Sequence, residues 1–124
     1  MAKKVLICDD EPFILESVSY VARSEGYEVV TAEDGEEGLR LAREECPDMM
    51  FLDLMMPRMN GFQVCKALKQ DPATSRIHIV ILTARGQELD RIKGKEVGAN
   101  EYLTKPFSPR KLRQRLQEVL GATA

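Results

Sequence analysis

Short apolar runs in this sequence end in polar side chains that could do chemistry. The polar residues at the ends of the first, third, fourth and fifth such runs are Asp9 with Asp10, Asp53, Thr83 and Lys105. Two like unit charges about 4 Å apart repel each other by ~4 kcal/mol at an effective dielectric constant of about 20. Three neighbouring carboxylates therefore need a cation or a proton to offset their repulsion. Oxygen ligands without His or Cys favour a hard cation, and Mg²⁺ is usually held by one or two carboxylates, waters and a phosphate. A lysine ammonium and a threonine hydroxyl suit phosphate oxygens, so this set indicates a crevice that places a phosphoryl group beside Mg²⁺.

Asp53 is the candidate nucleophile of this set. A carboxylate can itself attack phosphorus and form an aspartyl-phosphate. Asp53 stands alone at the end of the central apolar run, whereas Asp9 and Asp10 come as a pair and suit metal binding better. Taken singly, these residues also fit structural roles, because Asp53 could cap a turn and the acidic pair could begin a helix. The functional interpretation depends on a fold that brings all of them together.

Strands that alternate with helices must position these residues. Apolar runs bounded by charge, Gly or Pro predict strands at residues 5–8, 29–32, 49–52, 77–82 and 101–103. Helical patterns begin near Pro12, Asp34, Gly61, Gln87 and Ser108 and end near Gly26, Pro47, Lys69, Val97 and Leu120. This alternation predicts a parallel sheet covered on both faces. Its length suits a flavodoxin-like, doubly wound (βα)5 fold with strand order 2-1-3-4-5, whose ligand site lies at the carboxyl ends of the strands.

The composition describes one globular domain with an uneven charge. The chain has 124 residues, of which 44% are hydrophobic and 31% charged, as expected of a single folded domain. Residues 85–124 carry 9 basic and 5 acidic side chains, net +4, whereas residues 1–84 carry 9 and 15, net −6. The basic region is either a set of solvated helix faces or a partner surface. Binding to nucleic acid is weakly supported, because no interleaved aromatic residues accompany the charge.

The cysteines, together with the lack of a recognisable signal peptide or membrane span in the sequence, favour an intracellular protein. Cys8, Cys46 and Cys65 are odd in number and lack metal or redox spacing, so we interpret them as structural free thiols. Free thiols are typical of a reducing compartment. No signal peptide and no apolar run of about 20 residues is present. We therefore predict a cytoplasmic protein with no membrane partner.

Four motifs together resemble the response-regulator receiver domain of two-component signalling. They are "ICDDEP", "FLDLMMPRMNG", "ILTA" and "YLTKPF". The match runs in the right order from about residue 4 to residue 120, and as a set these motifs are highly specific. The resemblance implies one receiver domain over residues 1–124, with no output domain present. It also implies a signalling domain rather than an enzyme, although one that assists its own phosphorylation and dephosphorylation.

The resemblance assigns a role to each residue of the predicted crevice. It implies that a sensor histidine kinase or a histidine phosphotransfer protein phosphorylates Asp53. Mg²⁺ would be bound by Asp9, Asp10, Asp53 and the backbone carbonyl of Met55, with Asp10 as a direct ligand and Asp9 acting through a water. Thr83 and Lys105 would contact the phosphoryl oxygens, and Lys105-Pro106 would be a cis bond. Gly61 corresponds to the family's glycine in the turn that opens the third helix, and Met55 and Arg85 would modulate the lifetime of the phosphoryl group.

The resemblance also implies a conformational switch. Thr83 would move toward the phosphoryl group, and the ring of Tyr102 would rotate into the vacated space. The face made of the fourth helix, fifth strand and fifth helix would change with it and bind a downstream target protein or an output domain. A phosphorylation-dependent homodimer is a further possibility. The basic residues of this face are Arg91, Lys93, Lys95, Arg110, Lys111, Arg113 and Arg115.

Two other functions fit the same fold less well. A Mg²⁺-dependent phosphohydrolase that works through an aspartyl-phosphate would place a second acid two residues after the nucleophile, but Met55 stands there and cannot transfer protons. A flavin-binding electron carrier would need a Ser/Thr-rich phosphate loop after the first strand, where an acidic cluster stands instead. The only histidine, His78, is predicted to have a surface role rather than to be a phosphorelay histidine.

Overall fold

Five parallel strands form the single sheet of this protein, whose computed structural model describes residues 2–84 and 95–121. The strands are β1 (Lys4–Cys8), β2 (Glu28–Ala32), β3 (Met49–Asp53), β4 (His78–Ala84) and β5 (Glu101–Lys105). Their order is β2-β1-β3-β4-β5, and every neighbouring pair is parallel. The prediction of a flavodoxin-like, doubly wound α/β fold is therefore confirmed. β4 and β5 are each two residues longer at the carboxyl end than their apolar runs predict, and both extensions carry polar site residues.

Four helices in the described part of the chain cover the two faces of the sheet. They are α1 (Pro12–Ser24), α2 (Gly35–Glu45), α3 (Gly61–Gln70) and the C-terminal helix (Pro109–Leu120). The fourth predicted helix, residues 87–97, falls mostly outside the described residues. Its last three residues, 95–97, are described and are helical. Arg85 and the basic residues Arg91 and Lys93 also lie outside them.

Side-chain caps set where three of these helices begin. Asp34 accepts a hydrogen bond from the amide of Glu37 at 2.8 Å, and Ser108 accepts one from the amide of Lys111 at 3.1 Å. Both residues stand where the sequence analysis predicts that a helix begins. Asn60 and Gln63 form a reciprocal capping box at the start of α3. Such caps satisfy the free amides of a first helical turn and typically stabilise a helix by ~1 kcal/mol.

The sheet separates two apolar cores. Alternate residues of β1, β3 and β4 pack against α2 and α3 on one face and against α1 and the C-terminal helix on the other. β3 is buried along its whole length, because it lies at the centre of the sheet with helices on both sides. A fully buried central strand is a rigid base for the polar residue that ends it, Asp53.

Part of the positive charge of the C-terminal helix is paired within the molecule. Arg113 lies 3.4 Å from Glu25, which directly follows α1. Arg115 donates to Glu101 of β5 at 2.6 Å, and the same carboxylate also binds His78. His78 is thus a half-buried partner in an ion-pair cluster rather than a purely surface residue. The exposed basic residues of this region within the described chain are Lys95, Arg110 and Lys111.

Candidate functional site

The carboxyl ends of four strands meet in one crevice. Asp53 is the last residue of β3, Thr83 lies near the end of β4, and Lys105 ends β5. Asp9 directly follows β1, and its amide donates to Ala32 of β2 at 3.1 Å. The crevice has a volume of about 340 Å³ and is lined by Asp10, Glu11, Asp53, Leu54, Met55, Leu82 and Lys105. The fold therefore brings together Asp9, Asp10, Asp53 and Lys105, as the sequence analysis expects, whereas Thr83 follows the lining residue Leu82 and is not itself part of the lining.

Asp9 is a fully buried carboxylate with an unsatisfied oxygen. Its Oδ1 accepts a hydrogen bond from the amide of Glu11 at 2.9 Å. Its Oδ2 lies 2.9 Å from Nζ of Lys105, but the two are not aligned for a hydrogen bond, and no described residue satisfies this atom. Burial raises the pKa of Asp9, although the Glu11 amide and Lys105 oppose the rise.

Asp53 is also nearly buried, with 6% of its surface exposed. Its Oδ1 lies 3.4 Å from Nζ of Lys105. Burial and, after it, repulsion from Asp9 raise the pKa of Asp53 to about 6, although Lys105 opposes the rise. At neutral pH the carboxylate is still mostly ionised, as a nucleophile must be, but its charge is poorly compensated.

Lys105 is the cation of the crevice. Besides Asp9 and Asp53, its ammonium contacts Glu11 Oε1 at 3.1 Å. Burial alone would lower the pKa of Lys105, but the three carboxylates outweigh that effect and raise it, so the side chain stays protonated. The bond from Lys105 to Pro106 is cis, as the sequence analysis expects. The contact with Glu11 was not predicted, although Glu11 stands in the acidic stretch after the first strand.

The three aspartates have the geometry of a divalent-cation site. One carboxylate oxygen from each of Asp9, Asp10 and Asp53 lies within 4.8 Å of the others. Asp10 is exposed, and Met55 is 70% exposed at the rim of the crevice. All-oxygen ligands and an unsatisfied buried oxygen on Asp9 suit a hard cation such as Mg²⁺. Among the described residues no other cluster of three such ligands occurs.

Gly61 lets α3 begin directly against the backbone of Asp53 and Leu54. A Cβ atom at position 61 would lie 2.6 Å from the backbone oxygen of Asp53 and 3.0 Å from Cα of Leu54. The amide of Gly61 donates to the Leu54 carbonyl at 2.9 Å, which closes the loop between β3 and α3. Glycine is thus required here for a close approach of two backbone segments.

The two residues expected to act in a switch lie on neighbouring strands. Thr83 is 3% exposed and pairs in register with Thr104. Tyr102 is half-buried, pairs with Ile81, and packs against the core formed with α2 and α3. Thr83 thus follows Leu82, the residue of β4 that lines the crevice, and Tyr102 lies farther down the adjacent strand.

Comparison with known proteins agrees with this geometry. The family described as response regulator receiver domain matches residues 5–117. The chain is 44% identical over 120 residues to the alkaline phosphatase synthesis transcriptional regulatory protein PhoP of Bacillus subtilis, covering 97% of this chain and 49% of that protein. It is 42% identical over 120 residues to the phosphate regulon transcriptional regulatory protein PhoB of Escherichia coli, covering 97% of this chain and 52% of that protein. The chain thus spans about half the length of these curated relatives.

Solved structures give the same result. The chemotaxis protein CheY4 of Vibrio cholerae superposes with a TM-score of 0.89 at 38% identity, covering 96% of this chain and 99% of that one. A response regulator receiver domain protein from Clostridium thermocellum superposes with a TM-score of 0.85 at 32% identity, covering 95% and 94%. No helix in the described part of the chain is long and apolar enough to cross a membrane. The protein is therefore a signalling domain that belongs to the response regulator receiver domain family of two-component systems.

Proposed function

We propose that this domain is a phosphoacceptor switch in which Asp53 takes a phosphoryl group from a sensor histidine kinase or a histidine phosphotransfer protein. The observation that carries the proposal is the convergence of Asp9, Asp10 and Asp53, with one oxygen from each within 4.8 Å of the others. Lys105 completes this set, because its ammonium lies 2.9 Å from Asp9 and 3.4 Å from Asp53. An acceptor carboxylate, a cation site and a fixed ammonium are what phosphoryl transfer requires of a protein.

The cation of this site is proposed to be Mg²⁺. Asp9, Asp10, Asp53 and the Met55 carbonyl would hold it, and its charge would offset that of the carboxylates and the incoming phosphoryl group. The exposure of Asp10 suits a direct ligand that reaches into solvent. Burial of Asp9 leaves its unsatisfied oxygen available to a bound cation or to a water that the cation holds.

The transfer itself needs only the carboxylate and positioning. An oxygen of Asp53 attacks phosphorus, the bond from phosphorus to the donor nitrogen or oxygen breaks, and the leaving group retains the electron pair of that bond. Lys105 is placed to pair with an oxygen of the transferred group, since it already contacts Asp53. Thr83, which follows the Leu82 that pairs with Asp53, would donate its hydroxyl to another.

The output of the switch is proposed to pass through Thr83 and Tyr102. Thr83 moves toward the phosphoryl oxygens and Tyr102 turns inward. The face of the predicted fourth helix, β5 and the C-terminal helix then changes its affinity for a target protein, an output domain or a second copy of the chain. The transcriptional regulators to which the chain is similar are about twice its length, which is consistent with control of an attached output domain. A cytoplasmic location follows from the same assignment.

Intact-mass measurement tests the acceptor assignment. The purified protein is incubated with acetyl phosphate, with and without Mg²⁺. We expect a single phosphoryl adduct that needs Mg²⁺ and is lost in Asp53→Ala. Asp71→Asn, at the opposite edge of the sheet, is the matched control and keeps the adduct. An adduct that persists in Asp53→Ala would refute the assignment, and rapid turnover of small phosphomonoesters would favour the phosphohydrolase instead.

A further inference from the structure

The loop between β3 and α3, residues 54–60, is braced from outside the crevice. At its base, Leu54 and Gly61 are joined by a backbone hydrogen bond of 2.9 Å, and at its tip the amide of Met59 donates to Pro57 at 2.8 Å. Arg58 between them has a left-handed φ of 71°. Such a closed loop moves as a unit, so whatever fixes its tip also fixes the Met55 carbonyl at its base.

The tip of this loop rests on the first residue of α2. A Cβ atom at Gly35 would lie 2.0 Å from the carbonyl oxygen of Met59 and 2.6 Å from its Cβ. Gly35 is buried and begins a regular helix. Its backbone conformation would therefore accept alanine, and the contact with Met59 alone requires glycine there. An added methyl group would push the Met59 peptide back by about 1 Å or more, because carbon and oxygen do not approach closer than about 3 Å.

Two further contacts join the same loop to the strand and turn beside Gly35. Sγ of Cys8 lies 3.5 Å from Sδ of Met56, and it also donates to the Asp34 carbonyl at 3.3 Å. The guanidinium of Arg58 lies 3.8 Å from Asp34. Cys8 directly precedes Asp9, and Met56 directly follows Met55. The brace therefore links the two chain segments that carry the proposed cation ligands.

From these contacts we infer that Gly35, although outside the crevice, is a positioning residue for the cation site. It permits the loop to lie where Met55 lines the crevice and Asp53 is within 4.8 Å of Asp9. This inference rests on the proposed function, because it concerns the same Mg²⁺ site. Replacing a group that hydrogen-bonds directly to a metal ligand typically changes metal affinity by about 10- to 100-fold, so a residue one contact farther out should act at the lower end of that range.

Titration of the unphosphorylated protein with Mg²⁺, followed by amide NMR or calorimetry, tests the inference without any transfer reaction. We expect Gly35→Ala to weaken Mg²⁺ binding by about tenfold or more. Ala42→Gly is the matched control, because it perturbs a buried position of the same helix without touching the loop. It should lower the urea midpoint of unfolding and leave Mg²⁺ affinity unchanged. Met59→Gly loosens the contact from the loop side and decides the question if Gly35→Ala does not fold.

The outcomes separate the two proposals. Wild-type protein that binds no Mg²⁺ would refute the proposed cation site, and this inference with it. Wild-type protein that binds Mg²⁺ while Gly35→Ala or Met59→Gly binds it equally well would overturn only the role of Gly35. An equal loss of affinity in Ala42→Gly would also overturn it, because general destabilisation would then account for the effect.

Discussion

Replacing Asp53 by asparagine should stabilise the metal-free protein. Burial and the neighbouring Asp9 raise the pKa of Asp53 from 3.8 to about 6. Because one pKa unit corresponds to about 1.4 kcal/mol, the ionised form in the folded state is destabilised by about 3 kcal/mol relative to the unfolded chain. Asparagine has the shape of the neutral carboxyl group and carries no charge. We therefore expect Asp53→Asn to raise the free energy of unfolding by about 3 kcal/mol at pH 7.5 in EDTA.

The stabilisation by Asp53→Asn should decrease as the pH is lowered. A carboxyl group whose folded pKa is raised stabilises the fold below its unfolded pKa and loses that contribution as pH rises through the folded pKa. The advantage of Asp53→Asn should therefore fall to about half at pH 5 and approach zero near pH 3.8. Urea unfolding of both proteins at each pH measures the difference, and other titrating groups largely cancel in it.

Two controls make the experiment decisive. Glu16→Gln changes an exposed carboxylate on α1 and should alter stability by less than about 0.5 kcal/mol at either pH. Saturating Mg²⁺ should reduce the advantage of Asp53→Asn, since a bound cation stabilises the wild-type carboxylate. An Asp53→Asn protein no more stable than wild type, or equally stabilised at pH 7.5 and pH 5, would refute the electrostatic reasoning.

Three further substitutions probe the neighbouring contacts. Lys105→Met removes the ammonium 2.9 Å from Asp9, so Mg²⁺ should bind more tightly in a titration. The yield of the acetyl phosphate adduct should fall about tenfold or more, because the ammonium no longer pairs with the transferred group. Weaker Mg²⁺ binding would contradict this reasoning. Gly61→Ala places a methyl group 2.6 Å from the Asp53 carbonyl, and urea unfolding should show a loss of about 1–3 kcal/mol. Burial alone would raise the pKa of Glu101, but Arg115 and His78 outweigh burial and lower it. The ionised carboxylate therefore stabilises the folded state above its unfolded pKa of 4.5, and this stabilisation is lost as pH falls through the folded pKa. Glu101→Gln should therefore cost less than about 1 kcal/mol at pH 7 and less still at pH 3, by the same method.

The strand order and the crevice residues could be predicted because their signals are local. Each strand is a short apolar run, and Asp34 and Ser108 mark helix starts within the next few residues. Parallel strands then bring their carboxyl ends to one edge whatever the details of packing. Asp53 and Lys105, 52 positions apart in the sequence, are therefore expected to meet, and they do.

The contacts that refine the site depend on tertiary packing and leave no local signal. Nothing in the sequence around Gly35 indicates that the Met59 carbonyl comes so close. The ends of β4 and β5 were predicted too short, because pairing of Thr83 with Thr104 extends the ladder beyond the apolar runs. The basic face was predicted from composition, which cannot reveal that Arg115 is paired with an acid across the helix–strand boundary.

The register between β4 and β5 indicates how a movement of Thr83 could affect the packing of Tyr102. Side chains alternate along a strand, so Ile81 and Thr83 project to one face of the sheet. Ile81 pairs with Tyr102 and Thr83 with Thr104, and Ile81 and Tyr102 share the core formed with α2 and α3. A displacement of Thr83 toward the crevice would therefore change the packing beside Tyr102 without breaking the ladder.

Among the described elements, β5 connects the crevice to the C-terminal helix. Its last residue, Lys105, contacts Asp53 in the crevice, and its first, Glu101, binds Arg115 of the C-terminal helix. A dianion bound at Asp53 would draw Lys105 away from its present partners, and the strand would pass any shift to the ion pair at its other end. The ion pair of Arg115 thus leaves one basic residue fewer for the predicted partner surface. It also connects that surface to the crevice, because a shift of β5 would move the carboxylate that Arg115 binds.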